Sequence, residues 1–82
     1  MSYFEIVPKG FEAKGMSPIE RAISIAEYCG KYDCFLPTSE AGVNDLWSLV
    51  YDGKEYCLYQ NNELTYCSDS RDDIALYLEY VF

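Results

Sequence analysis

Histidine is absent from this 82-residue chain, and with it go the usual general base, the Ser-His and Cys-His nucleophile pairs and histidine-based metal sites. Basic residues are scarce: six Lys and Arg stand against fourteen Asp and Glu, a net charge of −8. Such a field repels phosphate backbones and anionic lipid, which argues against direct binding to nucleic acid or to a membrane surface. The five glycines, at positions 10, 15, 30, 42 and 53, are scattered, and none opens a helix beside Lys-Ser or Lys-Thr as a phosphate-cradling loop requires. No run approaches the roughly 20 apolar residues of a membrane span. The opening stretch MSYFEIVPKG lacks the basic and apolar regions of a secretion signal, so the expected compartment is a reducing cytoplasm. Internal repeats, low-complexity tracts and linkers are also missing.

What is present is apolar and aromatic. Half of the residues are hydrophobic and 17% aromatic, including nine tyrosines, enough for one hydrophobic core and one domain spanning residues 1–82. Residues 2–7 predict a first strand that stops at Pro8-Lys9-Gly10. Ser17-Pro18-Ile19-Glu20 is a capping box with proline at the first helical position, followed by Ile19, Ala22, Ile23, Ala26 and Cys29 at helical spacing and by Gly30 as a stop. The pattern then dissolves over residues 31–45, which read as a long loop pinned by Tyr32, Phe35 and Leu36; loops of that length are more often functional than incidental. Residues 46–51 and 54–60 flank Asp52-Gly53, a dipeptide preferred in two-residue hairpin turns, and Asn61-Asn62 leads to a third run at 64–67. Ser and Asp at 68–70 cap a second helix with Asp72 and Asp73 in its first turn and Ile74, Tyr77, Leu78 and Val81 on one face. The expected fold is α+β, an antiparallel sheet of about four strands with two helices on one face, in the order β-α-β-β-β-α.

Two tight turns would place Tyr51 opposite Lys54, Leu49 opposite Tyr56 and Trp47 opposite Leu58 on the core face. The other face then carries Leu46, Ser48, Val50, Glu55, Cys57, Tyr59, Leu64 and Tyr66, too apolar for plain solvent exposure. The segment 31–45, a second copy of the chain or a foreign partner could cover it. In that register Cys67 falls opposite Tyr56 and Cys57 points the other way, so a bridge between them is not expected and all four thiols read as free. The spacings Cys29-x4-Cys34 and Cys57-x9-Cys67 lack the paired knuckles of a zinc site, and no metal or other cofactor is expected.

Charge is distributed unevenly. Residues 1–39 hold five acids and four bases; residues 40–82 hold nine acids, Glu40, Asp45, Asp52, Glu55, Glu63, Asp69, Asp72, Asp73 and Glu79, against Lys54 and Arg71. A net charge of this size also serves solubility alone. The densest carboxylates have no apolar pocket to raise a pKa and fit no calcium loop, so their functional reading is a negative patch for a basic protein. The candidate partner-binding residues are Asp52, Glu55, Glu63, Asp69, Asp72 and Asp73, with Tyr59 and Tyr66 beside them. A domain of this length spans on the order of 30 Å, over which one nucleic-acid strand carries roughly 9 charges and a duplex roughly 18. A net −8 therefore allows partial mimicry of a single strand.

Short, acidic, tyrosine-rich and without a catalytic constellation, the chain resembles in kind the phage-encoded anti-CRISPR and other anti-defence inhibitors, which block nucleic-acid-handling proteins. No family motif is matched, so no residue roles follow from that likeness. The expected function is a small acidic inhibitor, not an enzyme, whose partner is a basic nucleic-acid-binding protein or complex. An immunity protein neutralising a nuclease toxin shares the same physics. A homo-oligomeric structural or assembly protein, such as a homodimer pairing through the apolar sheet face, is the alternative of a different class.

Overall fold

Ser17 caps the first helix as its spacing predicts: its Oγ accepts from Glu20 N–H at 3.2 Å, Pro18 fills the first turn, and the helix α1 runs Pro18–Cys29 until Gly30, at φ 90°, turns its N–H back onto Ala26 O. Ser70 does the same for α2, Arg71–Val81, accepting from Asp73 N–H at 3.3 Å. A computed structural model describes residues 4–82; of the first strand expected at 2–7, residues 2 and 3 lie outside the described residues. Between the helices and before α1 are five strands: β1 Phe4–Glu5, β2 Lys31–Pro37, β3 Asn44–Tyr51, β4 Tyr56–Gln60 and β5 Glu63–Ser68. They pair antiparallel in chain order, β1-β2-β3-β4-β5. This is the expected α+β class, an antiparallel sheet with both helices on one face, but the order is β-α-β-β-β-β-α, with one strand more between the helices than the expected β-α-β-β-β-α and the expected first strand reduced to the two-residue β1.

One strand was not legible as such. The first half of the expected loop at 31–45 is β2, which alternates core-facing Tyr32 and Cys34 with Lys31 and Asp33, and pairs along its length with β3. The loop shrinks to residues 38–43, closed by Thr38 N–H to Val43 O at 3.0 Å and by the Thr38 hydroxyl, which accepts from Glu40 N–H at 3.1 Å.

Two registers also differ from expectation. Asp52-Gly53 does not make a two-residue turn: Asp52 Oδ1 accepts from both Lys54 N–H (2.9 Å) and Glu55 N–H (2.8 Å), so residues 52–55 form a four-residue loop and Tyr51 pairs with Tyr56. Only Gly53 there has positive φ, whereas the tighter turn needs two such residues. The shift is by two residues, so Trp47, Leu49, Tyr51, Tyr56 and Leu58 stay on the face assigned to them. The second turn is tight as expected, with Asn61 and Asn62 at φ 52° and 70°. Beyond it a bulge at Thr65 shifts the ladder, so Tyr59 pairs with Leu64 but Leu58 pairs with Tyr66 and Cys57 with Cys67. Tyr66 therefore lies on the helix side of the sheet, and Cys57 and Cys67 share the other side.

The core joins Ala22, Ile23, Ile25 and Ala26 of α1, Ile74 and Leu78 of α2, and Tyr32, Cys34, Leu49, Tyr56 and Leu58 of the sheet. Ile25 takes the place expected of Cys29, which is exposed with its thiol turned to the Ile25 and Lys31 carbonyls. Burial pushes the Cys34 thiol up to about 11. No helix among the described residues is long and apolar enough to cross a membrane.

Candidate functional site

The chain's end of the sheet at the β3–β4 loop collects most of the acids named above. The loop carries Asp52 and Glu55; β5 leaves the sheet at Ser68, paired with Tyr56; Asp69 and Asp72 follow at the start of α2. Asp52, Glu55, Asp69 and Asp72 are all exposed. Glu63 is not among them: it sits at the opposite end of β5, paired with Gln60, roughly 15 Å away along the strand. Tyr59 lies on the outer sheet face, and Tyr66 on the helix side.

Carboxylates at this end divide by what they hold. Asp73 accepts from Tyr66 Oη–H at 2.5 Å, and Tyr66 stacks on Tyr77 of α2 with ring centroids 4.2 Å apart. Donation from that hydroxyl keeps the Asp73 carboxyl below its ordinary range and raises the Tyr66 phenol. Asp73 and Tyr66 thus bind α2 to β5. The Asp52 carboxyl is likewise depressed, first by the Glu55 N–H and then by that of Lys54. Asp69 and Asp72 hold no side-chain partner among the described residues.

The chain's own cations offset this patch only in part: Lys54 stands in the loop with Asp52 and Glu55 and its charge acts on Asp52, without an ion pair at contact distance. Three ion pairs occur among the described residues: Arg21–Glu5 at 2.6 Å, Lys31–Asp33 at 3.7 Å and Arg71–Glu27 at 3.1 Å. Every acid in them comes from the first half of the chain. Among the described residues none of the nine acids of residues 40–82 is ion-paired, and Arg71, one of only two bases in that half, is drawn to Glu27. Tyr56 Oη–H also donates to Glu27 Oε2, and Arg71 Nη2 donates to Ser24 Oγ at 3.2 Å, so this cluster fastens α1, α2 and β4 together. Burial first, and then the bond to Glu27, push the Tyr56 phenol up to about 12.

No family model, curated protein or solved structure matches the chain.

Two residues absent from the sequence-based set form an exposed apolar stripe that leads from Asp72 along α2. Leu76 is 61% exposed and Tyr80 90% exposed, and with Asp72 they follow the four-residue repeat of one helical stripe, on the side of α2 turned from Ile74 and Leu78. The signal was available in the spacing 72, 76, 80, but it is fainter than the core stripe it accompanies. On the outer face of the sheet Phe35, Leu46, Val50 and Tyr59 are half-buried and Leu64 is 58% exposed. Lys31, Ser48, Val50, Tyr59 and Asn62 line an open depression of about 240 Å³ there. Segment 31–45 does not cover this face, because β2 is part of the sheet.

Proposed function

We propose that this chain is a small acidic binding protein that docks on a basic, nucleic-acid-handling protein and occludes its nucleic-acid surface, in the manner of an anti-CRISPR or other anti-defence inhibitor; an immunity protein against a nuclease would work through the same contacts. The supporting observation is the carboxylate end, where Asp52, Glu55, Asp69 and Asp72 are exposed and none is ion-paired among the described residues, with the Leu76–Tyr80 stripe leading away from Asp72 along α2. Charge brings a cationic partner in, and an exposed tyrosine with a leucine beside it offers the rigid apolar contact that interface centres favour. The longest dimension is 36 Å, over which a nucleic-acid strand carries roughly 11 charges. The net −8 approaches that density without reaching that of a duplex.

The test compares tagged wild type with the variant Asp69→Lys/Asp72→Lys/Tyr80→Ala as bait in native cells, with captured proteins quantified by mass spectrometry. Basic nucleic-acid-binding proteins should dominate the wild-type capture, leave it when single-stranded oligonucleotide is added, and be depleted at least tenfold with the variant. Equal capture by both baits, or indifference to oligonucleotide, defeats the proposal. The outer sheet face, with its depression and exposed Leu64, favours one second reading, a homo-oligomer paired through that face. Light scattering on the eluting protein separates the two, since that reading requires a stable dimer.

A further inference from the structure

Cys57 and Cys67 are brought together by a bulge that a two-turn meander does not contain. They are directly opposed on β4 and β5, and Cys67 Sγ lies 2.8 Å from Cys57 Sγ as its donor. Both are half-buried on the sheet face away from the helices, whereas Cys34 is wholly buried and Cys29 is exposed. Directly opposed residues of an antiparallel pair have Cα atoms about 4.5 or 5.5 Å apart, and disulfides span about 4.4–6.8 Å. The backbone therefore needs no rearrangement to accept a bridge. We propose that Cys57 and Cys67 are a redox-modification site, closing into a reversible cross-strand disulfide when a peroxide or a small-molecule disulfide such as oxidised glutathione is present.

The chemistry balances in either case. With hydrogen peroxide, one thiolate attacks a peroxide oxygen, the O–O bond breaks, and a sulfenic acid and water result. The second thiol then attacks the sulfenic sulfur, the S–S bond forms, the S–O bond breaks and a second water leaves, so the two thiols are oxidised by two electrons and the peroxide is reduced. With a disulfide oxidant, exchange passes through a mixed disulfide and releases two reduced thiols. Neighbouring groups hold Cys57 in its thiol form: its Sγ also points to Glu55 Oε1 at 3.7 Å, and the hydrogen bond with Cys67, burial and that carboxylate push the Cys57 thiol up to about 12. A bridge that is half-exposed on a surface strand is of the labile kind, open to reduction again. The same three residues, Glu55, Cys57 and Cys67, have donor atoms within 4.8 Å of one another, so a thiophilic cation is the competing occupant.

The experiment uses the full chain, reduced, freed of reductant and titrated with hydrogen peroxide or oxidised glutathione. Free thiols should fall from four to two with a mass loss of two hydrogens, and a non-reducing peptide map should join Cys57 to Cys67. Clamping a short loop should raise Tm by roughly 10 °C, reversibly with dithiothreitol. Cys57→Ser and Cys67→Ser should each abolish both changes. Persistence of all four thiols, accumulation of glutathione adducts without closure, or a map joining Cys29 or Cys34 instead overturns the proposal. So does one equivalent of zinc retained by the purified protein and released only by modifying both thiols, since the sulfurs are then ligands. The peptide map is made on wild type, so a poorly folding variant leaves the outcome decided.

Discussion

Tyr56→Phe isolates the junction at which both helices and the sheet meet. Tyr56 is only 5% exposed, its ring stacks on Tyr51 with centroids 4.4 Å apart, and its hydroxyl donates to the Glu27 oxygen that also receives Arg71 Nε. Phenylalanine keeps the ring, the stacking and the volume, and removes one hydrogen bond to a charged acceptor. Such a bond is worth about 1.5–3 kcal/mol. The Glu27 side chain is 32% exposed and retains Arg71, which places the loss at the lower end, about 1.5 kcal/mol, and the fall in Tm at roughly 6–12 °C for a domain of this size. The pH dependence supplies a second signature. The phenol is raised in the folded state, from its ordinary 10 to about 12, so its contribution is complete below pH 10 and is lost as pH climbs toward 12. Urea titrations of both proteins at pH 8 and at pH 11 should therefore show a deficit in the variant at pH 8 that narrows at pH 11. A variant within about 0.5 kcal/mol of wild type at pH 8, which is the scatter of an ordinary surface change, or a deficit that does not move with pH, refutes the role assigned to this hydroxyl.

Two further outcomes follow from the caps and the latch. Gly30→Ala should destabilise by about 1 kcal/mol in chemical denaturation although the added Cβ finds no close neighbour, Tyr51 O being 3.8 Å away, because φ 90° strains any side-chain-bearing residue; an unchanged midpoint would count against it. Asp73→Asn should flatten the acid limb of the stability curve in thermal melts from pH 6 to about pH 2: a carboxyl depressed by Tyr66 contributes above the ordinary carboxylate range and loses that contribution as pH falls through its folded value, and an acid limb unchanged from wild type would refute this.

Local chemistry made the helices and the Asn61-Asn62 turn readable and located the Asp52-Gly53 turn without giving its length, while long-range pairing decided what was not. Ser17-Pro18-Ile19-Glu20 and Ser70 act within four residues of themselves, so their spacing sufficed. The alternation of Lys31, Tyr32, Asp33 and Cys34 was present in the sequence, but β2 exists because Tyr32 and Cys34 meet Leu49 and Trp47 across a hairpin closed by Thr38 and Val43. The bulge at Thr65 is subtler. Asn61-Asn62 sets Gln60 against Glu63, while stacking of Tyr66 on Tyr77 and its bond to Asp73 require Tyr66 on the helix side; one additional residue in β5 reconciles the two demands. No pattern of polarity within residues 63–68 announces it, and because a one-residue slip exchanges the faces, it alone decided which side Tyr66 and Cys67 occupy.

Charge in the second half of the chain has two separable consequences for the proposed interaction. Asp52 and Asp73 are held by hydrogen bonds that favour their ionised forms, so they remain negative in the folded protein with one oxygen of each, Asp52 Oδ1 and Asp73 Oδ2, already engaged. Such groups attract a cationic partner from a distance but have fewer lone pairs left to offer it on contact. Asp69 and Asp72, exposed and without a hydrogen-bond acceptor role of their own, can do both. Association rate and its salt dependence should thus follow the whole carboxylate set, whereas the lifetime of the complex should follow only the carboxylates and the Leu76–Tyr80 stripe that reach the partner. The acids most prominent in the sequence, Asp72 and Asp73, belong to different categories on this argument, because one accepts from Tyr66 and the other faces solvent.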